Sequence, residues 1–141
     1  MYAKAPISGL INDHRNFQFT AEGATEIRFT PQHQHCHTAG SLHGSGYFKL
    51  LDDASFFAAQ AQTEDSFLFT VSFNTYLVRA VVPGTELVAR GVVKSRSRSL
   101  TIAEATIHTA ADGKLVASGS GTFHPSPVKL ADLKSKLDKI D

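Results

Sequence analysis

Between Gly46 and Gln62 the apolar side chains of Tyr47, Leu50, Leu51, Ala54, Phe57, Ala58 and Ala61 return with a period of about 3.6 residues, and Phe48 and Phe56 widen the stripe. The pattern predicts one long helix that must be covered on more than one side. Upstream, Ala24 to Thr30 and the shorter Asn16 to Thr20 predict strands. Downstream, four more strands are expected at Leu68 to Val78, Thr85 to Lys94, Leu100 to Thr109 and Leu115 to Phe123. Pro83-Gly84, the Ser95 to Ser99 stretch and Asp112-Gly113 mark the turns, so the four form an antiparallel meander. In the first of them Phe69, Val71, Phe73, Thr75 and Leu77 alternate with Thr70, Ser72, Asn74 and Tyr76, and the apolar set is expected to meet the helix. In the last, Leu115, Ala117, Gly119, Gly121 and Phe123 share a face with no bulk at its centre, as where a helix or another backbone lies close. The expected architecture is α+β, a strongly curved antiparallel sheet wrapped around one central helix.

Two prolines in Phe123-His124-Pro125-Ser126-Pro127 interrupt the strand pattern, and a boundary is placed there. Residues 1–126 form a single domain. Residues 127–141 carry an appended amphipathic helix of about three turns, with Leu130, Leu133, Leu137 and Ile140 among lysines. The 141 residues suit one unit with a real core, and 42% apolar against 19% charged residues excludes disorder for most of the chain. Fourteen Lys and Arg against thirteen Asp and Glu leave +1, too little bulk charge to hold nucleic acid or an anionic bilayer. Cys36 alone permits no intrachain disulfide, and no window approaches the ~18 apolar residues of a membrane span. With no apolar signal run in Met1 to Pro6, the expected location is the cytoplasm.

Chemistry gathers around the helix start. The segment His37 to Gly46 brings glycines to a helix N-terminus, where open backbone N–H groups carry partial positive charge and can stabilise an oxyanion. Farther along come Asp52 and Asp53, whose side chains point about 100° apart, so at most one is expected in a given cleft. Asp52 lies near the edge of the buried stripe and could serve as general base or nucleophile.

These residues resemble the hotdog-fold acyl-CoA thioesterases, in the branch of the PaaI-like enzymes and one group of 4-hydroxybenzoyl-CoA thioesterases. That branch is marked by Asn, two residues, Gly, two residues, His-Gly-Gly, and an acid nine positions after the His. Gly40, His43, Gly44 and Leu50-Leu51-Asp52-Asp53-Ala54 stand in this register, as do the turn Val81 to Leu87 and the run Gly113 to Ala117. The resemblance covers about Asn16 to Phe123 and implies a hotdog fold that hydrolyses a small aromatic or short- to medium-chain acyl-CoA without a cofactor, coenzyme A being part of the substrate. It makes Asp52 the catalytic acid, Gly44 the oxyanion donor, Thr70 the residue that orients the water or carboxylate, His37 and His43 further catalytic candidates, and Ser45 and Gly46 candidates for binding the substrate or its CoA moiety. Ser45 replaces the second Gly, and His37 stands where the family usually has Asn; an imidazole N–H there can still donate, with pH sensitivity near neutrality.

The eight residues from Gly44 to Asp52 span about 12 Å of helix, too far for both to reach one carbonyl group within one protomer. Two antiparallel helices about a two-fold axis would bring Gly44 of one subunit beside Asp52 and Thr70 of the other, so a homodimer is expected, and the resemblance implies a dimer of dimers. Lys94, Arg96 and Arg98, in or beside the Ser95 to Ser99 turn, are candidates for the nucleotide phosphates of the CoA moiety. Asp52 could activate water or attack directly to give a mixed anhydride, and the same cleft could serve a non-catalytic acyl-CoA-binding module. In a strand-like stretch His33, His35 and His37 could also converge on a metal ion, but no acidic ligand accompanies them and no metal is expected.

Overall fold

The computed structural model describes residues 5–7 and 17–139. Six strands, β1 (Phe17–Phe19), β2 (Thr25–Phe29), β3 (Ser66–Leu77), β4 (Leu87–Arg96), β5 (Thr101–Thr109) and β6 (Leu115–Lys129), form one antiparallel sheet in the order β1-β2-β4-β5-β6-β3. The central helix α1 (Gly44–Gln60) lies on one face, and a short helix α2 (Leu130–Leu137) follows β6. Asn16 and Ile140, which the sequence placed in a strand and in the last helix, lie outside the described residues.

The helix sits close to the sheet because the strands beneath it present small residues. Ala89, Ala103, Ala105 and Ala117 are buried there, and a side chain at Gly91 would put its Cβ 2.0 Å from the Ala54 carbonyl oxygen. Thr25, paired with Gly91 across β2 and β4, is buried and donates its hydroxyl to that same carbonyl. Leu50, Leu51 and Ala54 then fill the main core with Ile27, Leu87 and Ile107. At the other end of the helix Gln60 accepts from the Leu68 amide at 2.8 Å and donates to the Ser66 carbonyl at 3.0 Å, fixing where β3 starts.

Three local expectations change. The small residues of β6 make room for the Phe73 ring rather than for the helix: Cβ atoms at Gly119 and Gly121 would stand 2.5 and 2.6 Å from it. The strand does not end at the prolines, since β6 runs through Pro125 and Pro127 to Lys129 while pairing with β3. Its pairing with β5 stops at Phe123, so on that side a missing N–H costs no ladder bond. The last helix is accordingly shorter than expected, and none of its residues is buried.

The third change concerns β3. Thr70 pairs with Phe123 but Ser72 with Thr122, so Val71 is an extra, bulged residue. A bulge shifts the alternation by one. Thr70, Phe73, Thr75 and Leu77 all stand opposite the inward series Phe123, Gly121, Gly119 and Ala117, so Thr70 faces the helix and the expected apolar set is broken. Phe69 and Val71 are 50% and 61% exposed, which they can be because β3 is a sheet edge.

Candidate active site

The bulge brings Thr70 to α1, where its hydroxyl donates to Asp52 Oδ1 at 2.9 Å. Both line a cavity of about 310 Å³ between the flank of the helix and the start of β3, walled by Phe56, Phe57, Phe67 and Phe69. Burial raises the Asp52 carboxyl above its ordinary range, opposed by the Thr70 hydrogen bond and the Lys49 ammonium. Such a carboxylate is a stronger base than one in water and sits beside an apolar wall.

Asp53 lines the same cavity, against the expectation that only one of the two acids could enter it. The cavity wraps around the helix flank widely enough to meet both side chains. Asp53 is ion-paired with Lys49 one turn earlier, and burial lifts its pKa to about 6 in spite of that cation. Sequence reasoning passed over Lys49; the signal was its spacing of three and four residues to the two acids.

The other half of the expected site lies elsewhere. Gly44 and His37 line a second cavity of about 220 Å³ with Ser41, Tyr47, Leu77 and Arg79, and among the described residues the two cavities share none. His43 is the N-cap of α1, its Nδ1 accepting from the Ser45 amide at 3.1 Å, and the Gly46 amide donates to the His43 carbonyl. His43, Ser45 and Gly46 thus shape the helix start. The Gly44 amide has no acceptor among the described residues. Gly40, at φ +85°, turns the chain toward this point, its N–H donating to the His37 carbonyl. His37 Nδ1 accepts from the Ala39 amide at 3.1 Å, so a neutral His37 carries its proton on Nε2, as a donor must.

Lys94, Arg96 and Arg98 are exposed at the β4–β5 turn, with Lys94 3.5 Å from Glu104. Arg96 pairs with Thr101, Thr101 with Phe123 and Phe123 with Thr70, so this basic turn shares a sheet end with Asp52, about 14 Å across three strand spacings. His33 to His35 form a 3-10 turn instead of a strand, which directs alternate side chains apart. Among the described residues no group of His, Cys, Asp and Glu could hold a metal ion.

A family model, Thioesterase superfamily, matches residues 39–116, more than half of the chain. The chain belongs to the thioesterase superfamily. Among solved structures, zebra fish thioesterase superfamily member 2 resembles it at 25% identity, over 78% of this chain and 80% of that one, with a TM-score of 0.72. The Escherichia coli PaaI protein from the phenylacetic acid degradation operon matches at 20% identity, over 92% and 90%, with a TM-score of 0.78. A Streptococcus mutans protein bound to acetyl CoA matches at 17% identity, over 82% and 93%, with a TM-score of 0.70. No curated protein matches by sequence. The fold of this thioesterase-superfamily chain is the hotdog fold, α+β, with the sheet packed on the central helix as in PaaI. Among the described residues no helix is long and apolar enough to cross a membrane.

Proposed function

We propose that the chain is an acyl-CoA thioesterase whose working site forms between two copies of itself. The observation that carries this reading is the Thr70–Asp52 hydrogen bond at a desolvated carboxylate beside an aromatic cavity. Asp52 acts on the thioester carbon as base toward water or as nucleophile. In either route the carbonyl oxygen gains negative charge, which the Gly44 N–H and His37 Nε2–H stabilise. The thiolate leaves and takes up a proton as CoA, and water supplies the oxygen of the free acid. The family's Asn role passes to His37. The exposed Lys94, Arg96 and Arg98 suit the nucleotide phosphates near the mouth of the acid half-site. A small aromatic or short- to medium-chain acyl group suits the phenylalanine wall.

The separation of the two cavities calls for a second copy. A two-fold axis that sets residue 44 opposite residue 52 passes the helix at Phe48, halfway between them. One that sets residue 70 opposite residue 77 passes β3 near Phe73 and Asn74. Phe48 and Phe73 are in edge-to-face contact at 5.5 Å, so a single axis satisfies both elements. The free edge of β3 and the exposed Phe48, at 44%, supply the surface such a homodimer would bury.

Release of free thiol from a panel of aryl- and alkyl-CoAs, followed colorimetrically, tests the activity. Turnover of at least one member is expected, with its loss in Asp52→Asn. Binding without release across the panel would overturn the hydrolase reading in favour of a non-catalytic acyl-CoA module. Sedimentation tests the assembly: particles of two or four times the 15.2 kDa chain are expected, and a fully active monomer would refute the shared site.

A further inference from the structure

The acid half-site holds more charge than hydrolysis by Asp52 uses. Lys49 and Asp53, 12% and 13% exposed at their side chains, form an ion pair inside the cavity that Asp52 also lines. Lys49 stands one helical turn before both acids, so its ammonium neighbours both. It is the only cation, and Asp52 and Asp53 the only acids, among the described residues lining that cavity. From β3, packed against this flank, only the Thr70 hydroxyl is polar; the remaining described lining residues are apolar, four of them phenylalanines.

We propose that Lys49, tethered by Asp53, is a positioning residue that keeps Asp52 ionised and aimed into an otherwise apolar acyl pocket. The inference rests on Asp52 being the working acid. A lone carboxylate in such a place has its pKa raised, because burial favours the neutral acid. Lys49 opposes this at both acids, and the Asp52 charge in turn raises Asp53. Asp53 therefore does two opposed things: it fixes the ammonium beside the site, and it competes with Asp52 for it. Asp52 stays charged to lower pH than its burial alone would allow.

The test follows the side-chain carboxyl carbon of Asp52 by NMR titration, together with the acid limb of the kcat/KM profile, in wild type, Lys49→Met, Lys49→Arg and Asp53→Asn. Lys49→Met should move both upward by about one pH unit or more, the effect of removing an opposite charge at this range. Lys49→Arg should restore them, and Asp53→Asn should move both downward, because a competing acid has gone. Since Lys49→Met and Asp53→Asn shift in opposite directions, loss of folding in one leaves the other decisive. An Asp52 titration unmoved in whichever of these variants folds overturns the proposal, as does a folded Asp53→Asn whose acid limb moves upward. A titration that moves as stated in a wild type that releases no thiol supports the charge device and overturns the thioesterase reading, so the two failures are distinct.

Discussion

If each site draws on two chains, two dead variants should rescue one another. Gly44→Pro removes the oxyanion donor at the first helical position, where proline is tolerated because its N–H is not used in the helix. The structure accepts it. His43 already has the extended backbone favoured before proline, at φ −64° and ψ 145°, and a Cβ at Gly44 would stand 3.6 Å from Leu77 Cδ1. Loss of that donor should lower kcat by about 100- to 1000-fold, and Asp52→Asn by a comparable factor or more. When equal amounts are unfolded together and refolded, half the dimers pair one variant with the other. Each such heterodimer has one site with both defects and one with neither, so the mixture should recover about a quarter of wild-type thiol release. Each variant refolded alone is the control. A refolded mixture no more active than the mean of its parents would show that both groups serve a site within one protomer, and the two-fold argument would fall.

Gly91→Ala should cost several kcal/mol in urea unfolding, at or above the ~1–3 kcal/mol of ordinary overpacking, because the new methyl meets the Ala54 backbone at 2.0 Å; an unchanged midpoint would refute the close approach of α1 to β4. Thr70→Val should lower kcat/KM by roughly 10- to 100-fold, the ~1.5–3 kcal/mol of a hydrogen bond to a charged group, and move the acid limb upward, since that bond lowers the Asp52 pKa; Thr70→Ser should restore both, and a Val variant with an unshifted limb would refute the role. Asp53 should also shape stability. Its folded pKa, about 6, exceeds the ordinary 3.8, so the folded chain holds this proton over a range where the unfolded chain has lost it. Its contribution to stability is greatest below pH 3.8 and falls as pH rises to 6, by up to about 3 kcal/mol. Wild type should therefore lose stability relative to Asp53→Asn between pH 4 and pH 7 in denaturant unfolding, and parallel curves would refute the assignment.

What the sequence shows and hides follows from which forces are local. The central helix was expected from Gly46 to Gln62 and runs from Gly44 to Gln60, because the 3.6-residue periodicity of its buried positions is a property of consecutive residues. The meander was legible for the same reason, with Asp112-Gly113 closing its hairpin between β5 and β6 at Gly113 φ +67°. The bulge at Val71 was not, since Phe69, Val71 and Phe73 keep their alternation in the sequence and only the partner strand decides that one of them is extra. That residue decides whether Thr70 meets Asp52. Strict alternation would place Phe69, Val71 and Phe73 against the helix and turn the hydroxyl outward, leaving the acid without its donor. The prolines of β6 misled in the opposite sense, marking an end where the strand merely loses its neighbour on one side. The Lys49–Asp53 pair was hidden by treating the two acids as alternatives. A helix flank against an edge strand opens a cavity broad enough for both, while residues 44 and 37 line a separate cavity from residues 52 and 70.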